Sequence, residues 1–359
     1  MVQENKTTKL MTYTYNDIGI VPAIMSQIEH RSECNPFLVD EKDGSQLLPI
    51  FTAPMDSVVG IENYELYKTN HICPILPRTV NIETRLEYAR DGKWAAFSLK
   101  EFETFFCGGD AAILMNNMGS KCKVVIDTAN GHMQKIYNLV RKSKKAYGRN
   151  IIIMTGNIAN PQTYMMAALC GIDYIRLSIG TGMGCITSSN VGIHYGIASL
   201  IADTRHIANS IRASCVINSY PQATLPKIIA DGGIRGYSDI IKALALGADY
   251  VMVGGLLSSL RESSGKTEVN EETGESYKVF YGMASAEGQI AMKGIKSHTS
   301  EGIKKKIPLT TTINSWSTNM ADYLRSAMSY CNCRDISQFN SENVTTVILS
   351  PNTYNSLNR

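Results

Sequence analysis

Eight short, β-rich apolar runs are spaced along this chain, and helix-like segments separate most of them. The runs are Leu48–Ala53, Ile72–Leu76, Trp94–Leu99, Lys123–Asp127, Ile151–Thr155, Tyr174–Leu177, Lys227–Ala230 and Tyr250–Val253. Continuous apolar runs of this length suit strands buried on both faces, as in a parallel sheet covered by helices. Segments at Ile82–Tyr88, Met133–Tyr147, Pro161–Cys170 and Tyr237–Leu246 supply helices between them. Such alternation leaves two architectures, a closed (β/α)8 TIM barrel and an open doubly wound sheet. Eight units in about 200 residues, with no Gly-x-Gly-x-x-Gly turn, favour the barrel. Asn160-Pro161 reads as an N-cap with proline at the first helical position, and Gly171 and Gly247 read as C-terminal caps. We expect one domain over residues 1–359: a barrel core at about 48–262, a flap at about 263–308 and a C-terminal helical segment and tail at 309–359.

Two connections are too long for plain barrel loops. One runs from Gly180 to about Ile193, after the sixth strand. The other follows the eighth strand from Ser263 to about Pro308, with a hairpin around Glu272-Thr-Gly-Glu275, and reads as a mobile flap. Ser214–Thr224 reads as a surface insertion before the seventh strand. The formal charge is only +3, and the one basic tract, Lys304-Lys-Lys306, reads as a solvated loop, so nucleic acid is not expected as a partner. No stretch has signal-peptide order and none approaches the roughly 18 apolar residues of a membrane span, so a soluble, cytoplasmic protein is expected. The nine cysteines are scattered without a Cys-x-x-Cys pair, which argues against zinc and for reduced, mostly buried thiols.

A barrel carries its active site at the C-terminal strand ends. There the sequence places Pro54-Met55-Asp56, Arg78, Asp127, Gly156-Asn157, Gly180 to Thr187, Asp231-Gly232-Gly233 and Gly254-Gly255. In Ser178-Ile-Gly-Thr-Gly-Met-Gly-Cys185-Ile-Thr187, three glycines in five residues permit positive φ and close approach to a ligand or ion. Cys185 at the end of such a loop is placed as a nucleophile. Thr187 can pass a proton to a leaving group, or make only a local turn bond. Glycine pairs after strands seven and eight match the usual phosphate site of barrels, where backbone N–H groups cradle the anion. Asp231 suits a ribose hydroxyl. These residues describe a barrel enzyme acting on a phosphorylated substrate.

The same residues resemble the IMP dehydrogenase/GMP reductase family over nearly the whole chain. The resemblance rests on Tyr13-Thr-Tyr-Asn-Asp17-Ile-Gly-Ile-Val-Pro22 with Arg31-Ser-Glu33, on Thr52-Ala-Pro-Met-Asp-Ser-Val58, and on Ile126-Asp-Thr-Ala-Asn-Gly-His132. Gly156-Asn157, the Cys185 loop and Ile229-Ala-Asp-Gly-Gly-Ile-Arg235 follow in family order. It implies that Cys185 attacks C2 of a purine nucleoside monophosphate while hydride passes between C2 and a nicotinamide. It implies cofactor contacts at Asp127 and Asn157 and substrate contacts at Met55, Asp231, Gly232, Gly233, Gly254, Gly255, Gly282, Met283 and Ser285. It further implies potassium on the cysteine loop through Gly180, Gly182 and Cys185, and a homotetramer.

Within the family the resemblance leans to the reductase branch, which turns GMP into IMP and ammonia with NADPH. About 17 residues separate strands two and three, so the dehydrogenase's paired CBS insertion is absent. No Arg-Tyr dipeptide lies between Met283 and Pro308 to activate water, and Arg261-Glu-Ser-Ser-Gly-Lys-Thr267 with Phe280-Tyr-Gly-Met283 is reductase-like. Three departures from the pattern stand out. Thr181 and Met183 stand where the loop usually has proline and serine, Lys296 stands where the reductase has a glutamate, and Ala53-Pro-Met-Asp is dehydrogenase-like. Glu287 or His298 are candidates to replace that glutamate. The alternatives are an IMP dehydrogenase, making XMP with NAD and water, and a low-activity nucleotide-binding relative.

Overall fold

A computed structural model describes residues 11–40, 43–108, 121–182, 187–217, 225–282, 285–295, 299, 302–350 and 353. All eight expected strands form, as β1 (Ile50–Thr52), β2 (Ile75–Leu76), β3 (Trp94–Phe97), β4 (Cys122–Ile126), β5 (Ile151–Ile158), β6 (Tyr174–Leu177), β7 (Lys227–Asp231) and β8 (Tyr250–Val253). They lie in one parallel sheet in the order β1-β8-β7-β6-β5-β4-β3-β2. The two ends meet: the Thr52 N–H donates to the Cys73 carbonyl at 3.0 Å, the Cys73 N–H to Ile50 at 2.9 Å, and the Ile75 N–H to Thr52 Oγ1 at 2.9 Å. The sheet is therefore a (β/α)8 barrel. Residues 77–93 between β2 and β3 hold only the helix Ile82–Arg90.

The barrel's N-terminal end is closed by aromatic rings. Trp94, Tyr174 and Tyr250 are the first residues of β3, β6 and β8, and each packs against Phe51 of β1 with centroids 5.1–6.0 Å apart. Phe51–Trp94, Phe51–Tyr174 and Trp94–Tyr174 meet edge to face, the arrangement favoured by the ring quadrupoles. One device recurs beneath β6 and β8. In Gly171-Ile-Asp173 and Gly247-Ala-Asp249 the glycine takes positive φ and the aspartate turns back onto the preceding strand. Asp173 accepts the Ile153 N–H and the Lys144 ammonium at 2.7 and 2.6 Å; Asp249 accepts the Ile228 N–H and Arg205 at the same two distances.

Three local expectations need correction. The helix expected from Pro161 begins at Thr163, because Asn160 instead closes a turn, its side chain taking the Gln162 N–H and its carbonyl the Thr163 N–H. Ser214 belongs to the long helix Ile197–Ile217, so no insertion starts there; residues 218–224 lie outside the described set. Lys304–Lys306 is not a loop. It opens β11 (Lys304–Pro308), which pairs with β10 (Ser276–Tyr281), itself paired with β9 (Thr267–Val269). Lys306 can sit on this edge strand because its ammonium lies over the Tyr277 ring at 4.4 Å. The hairpin turn before β10 forms as expected, with Gly274 at φ +70°. An antiparallel ribbon of Ile18–Val21 with Thr345–Ile348 ties the two ends of the chain together. Among the described residues no helix is long and apolar enough to cross a membrane.

Candidate active site

At the C-terminal ends of β4 to β7, one buried guanidinium gathers three of the expected residues. Arg176 of β6 is 6% exposed. Its Nη1 reaches Asp127 Oδ1 at 3.1 Å and its Nε reaches Asp231 Oδ2 at 3.0 Å. Asn157 Nδ2 donates to the same Asp231 oxygen at 2.7 Å. Arg78, after β2, approaches Asp127 from the other side at 3.6 Å and donates to its carbonyl at 3.3 Å. Burial alone would lower the Arg176 pKa, but Asp231 and Asp127 outweigh it and hold the cation above its ordinary value. Two carboxylates thus share one cation that cannot deprotonate, and all three side chains are fixed in orientation.

The loop after β4 is pressed onto β5. A Cβ at Gly131 would lie 2.7 Å from the Gly156 carbonyl carbon, and the Gly131 N–H donates to the Asn157 carbonyl at 2.9 Å. Thr128 Oγ1 donates to the Gly156 carbonyl at 2.9 Å. His132 Nε2 accepts the Ala159 N–H at 3.1 Å, which leaves Nδ1 as the donor to Thr163 Oγ1 at 3.1 Å in the neutral ring. The Asp127–His132 motif therefore does two jobs: Asp127 faces the site and His132 clamps two loops behind it.

The β6 loop lies against the β7 loop. Ser178 adopts φ +112°, and its hydroxyl bonds that of Thr181. The Gly180 carbonyl accepts the Ser188 hydroxyl at 2.7 Å, and a Cβ on Gly180 would lie 2.5 Å from the Ser188 nitrogen. A Cβ on Gly232 would lie 2.6 Å from Thr181 Oγ1, so the close approach requires glycine. The Gly233 N–H is spent on the Thr181 carbonyl at 3.1 Å, so Gly233 shapes the bend while Gly232 precedes it. Beside them opens a cleft of about 380 Å³, lined by Thr14, Asn16, Thr181, His194, Gly233 and Arg235. Gly254 caps the short helix Gly255–Ser258 and faces Ala53 and Met55, placing Met55 next to the β8 end.

On the flap side, Gly282 follows β10 directly, and Ser285 is fully buried, its hydroxyl accepting the Gly288 N–H to cap the helix Ala286–Lys293. Glu287 stands in that helix's first turn. Cys185, Met183, Met283, Lys296 and His298 lie outside the described residues, as does the Thr187 side chain, although Thr187 opens the helix Thr187–Val191. Elsewhere burial pushes the thiols up, Cys73 and Cys122 to about 12 and Cys107 and Cys333 to about 11, so none of these four is a poised thiolate. Among the described residues no cluster of histidines, cysteines and carboxylates could hold a metal ion. Sequence reasoning missed Arg176. Its signal was an arginine inside the apolar run Tyr174–Leu177, with aspartates at the ends of the fourth and seventh runs.

Known proteins give the same outline. A family profile described as "IMP dehydrogenase / GMP reductase domain" matches residues 12–355. A protein named GMP reductase from Staphylococcus epidermidis is 29% identical over 332 residues, 90% of this chain and 93% of its own length. One of the same name from Exiguobacterium is 30% identical over 322 residues, 89% of this chain and 90% of its own. An inosine-5'-monophosphate dehydrogenase from Bacillus subtilis is 31% identical over 226 residues, 61% of this chain and 43% of its own. The chain belongs to the IMP dehydrogenase/GMP reductase family.

Proposed function

We propose that this protein is a GMP reductase that converts GMP to IMP and ammonia with NADPH, as a cytoplasmic homotetramer of single-domain chains. The observation that carries the reading is the Arg176 cluster, which sets Asp127, Asn157 and Asp231 side by side at the strand ends. Similarity to proteins named GMP reductase over nine-tenths of the chain supports the branch.

In this reading Cys185 adds through sulfur to C2 of the purine. The exocyclic amine takes a proton, with Thr187 in the relay, and leaves as ammonia, so that a thioimidate joins C2 to Cys185. A bound nicotinamide would supply hydride to C2, after which the Cys185 sulfur would leave as thiolate to give IMP. Asp231 has one oxygen bonded by both Arg176 and Asn157, and its other oxygen would accept from the ribose hydroxyls. Gly232, Gly254 and Gly255 offer backbone N–H groups to the phosphate, with Gly233 forming the bend between them. Met55, Gly282 and Met283 flank the base, and buried Ser285 supports that segment by capping its helix. Asp127 and Asn157 fit a cofactor contact because both are partly exposed at the rim of the barrel. Gly180 fits a monovalent cation, since its carbonyl keeps a second lone pair beside the Ser188 bond; Gly182 and Cys185 would complete that set.

Absorbance of the nicotinamide tests the reading in two potassium-containing cuvettes. Loss of absorbance with GMP and NADPH, with IMP formed, establishes it. A rise with IMP and NAD would make the protein a dehydrogenase, the reading favoured by Ala53-Pro-Met-Asp56. Silence in both, with nucleotide still bound, would leave a binding role.

A further inference from the structure

The root of the flap is fastened to the turn after β1. Ser264 Oγ donates to the Asp56 carbonyl at 2.7 Å and the Ser264 N–H to the Val58 carbonyl at 3.3 Å. A Cβ on Gly265 would lie 2.9 Å from the Ser57 carbonyl oxygen, so the two segments are in close backbone contact. At the far end of β10, Tyr281 Oη donates to Asp56 Oδ2 at 2.6 Å. The other carboxylate oxygen, Asp56 Oδ1, is buried without a well-formed hydrogen bond among the described residues. Burial pushes the Asp56 pKa up despite the Tyr281 bond, and burial also raises that of Tyr281, with Asp56 and Glu287 adding to it. A short bond from a hydroxyl to a half-buried carboxylate is a strong, directional tie.

Its ends have neighbours that matter. Met55 immediately precedes Asp56, and Gly282 immediately follows Tyr281. Both flank the base in the function proposed above. We propose that Asp56 and Tyr281 are positioning residues: their bond fixes the separation of Met55 and Gly282 and so the width of the slot that receives the purine. This rests on that functional reading for the identity of the ligand, but not for the tie itself.

The test compares wild type with Tyr281→Phe, Asp56→Ala, Asp56→Asn and the Tyr281→Phe/Asp56→Ala double variant, by amide hydrogen exchange and by steady-state kinetics with GMP and NADPH. Tyr281→Phe is expected to speed exchange across 279–282 and 286–293 about tenfold. It should raise KM for GMP about tenfold, equivalent to about 1.4 kcal/mol, with kcat changed less than about threefold. Asp56→Asn, whose amide oxygen still accepts the phenol, should stay close to wild type. The double variant should be no worse than Asp56→Ala alone. Exchange within twofold of wild type in Tyr281→Phe, or additive losses in the double variant, would overturn the tie. Faster exchange with an unchanged KM would overturn its positioning role. If wild type turns over neither nucleotide, the functional reading fails, and the exchange data still decide whether the tie exists.

Discussion

Removing the Arg176 guanidinium should damage this protein more than any surface change, and the geometry sets the scale. The side chain is 8% exposed and holds Asp127 and Asp231 at 3.1 and 3.0 Å, with those carboxylates only 18% and 16% exposed. In Arg176→Met, Asp127 keeps Arg78 at 3.6 Å, but Asp231 keeps only the neutral Asn157 donor. Removing one partner of a buried ion pair costs about 3 to 5 kcal/mol, because the partner is left charged and poorly solvated. The lost charge is shared by two carboxylates that are not fully dry, so we expect about 3 kcal/mol, the lower end of that range. Urea unfolding at pH 7 measures it through the midpoint at constant m. Adding Asp231→Asn to Arg176→Met should restore part of the loss by removing the orphaned charge. Arg176→Lys should fall between, since an ammonium cannot reproduce the fork that spans two carboxylates. A loss below about 1 kcal/mol, or no recovery in the double variant, would refute the argument that charge pairing rather than packing holds the cluster.

Cys185→Ala should abolish turnover and leave GMP binding by calorimetry within a few-fold of wild type; retained turnover would exclude the covalent route. Gly131→Ala should cost about 2 to 3 kcal/mol, because its methyl would enter the Gly156 backbone, whereas Gly236→Ala meets nothing within 4 Å and should be tolerated. Lys278 is buried and donates to the Ser263 and Gly265 carbonyls at 2.8 Å each, so Lys278→Met should destabilise by about 2 kcal/mol in thermal unfolding. Asp56 has a folded pKa raised by burial, so its contribution is favourable below the unfolded value near 3.9 and is lost as pH rises through the folded one. Asp56→Asn should therefore match or exceed wild type in stability at pH 7, and the gain should vanish below about pH 4.

The barrel was legible because its strands are buried on both faces. That requirement writes continuous apolar runs into the sequence, and all eight runs became strands. Gly171 and Gly247 were legible for a similar reason, as each takes a positive φ that other residues resist. What stayed hidden depends on partners far away in sequence. Arg176 meets aspartates 49 and 55 positions distant, and Tyr281 meets Asp56 across 225 positions. An arginine in an apolar run looks like a charge pointing outward until the fold supplies two carboxylates to receive it. Lys304–Lys306 misled in the opposite sense: a run of lysines reads as solvent-facing loop, yet an edge strand also presents its charges to water and gains protection from unwanted pairing.

The two ends of the barrel are built on different terms, and that difference explains where function can reside. At the N-terminal end, rings interlock and Asp173 and Asp249 each bond a strand N–H together with a basic side chain, so both layers are rigid and self-satisfied. At the C-terminal end, Gly131 and Gly156 press onto neighbouring backbone, and Gly180 and Gly232 leave room for Ser188 and for the Thr181 hydroxyl. Such contacts place loops closely but bury little apolar surface, so they hold position without adding much stability. The Arg176 cluster compensates. It joins β4, β6 and β7 through one cation, ties in β5 through the Asn157–Asp231 bond, and fixes the orientation of the groups that would meet a ligand. A site assembled from glycine loops gains side-chain order from such a polar keystone, beside the few backbone bonds that link the loops, from the Gly131 N–H to Asn157 and from the Gly233 N–H to Thr181.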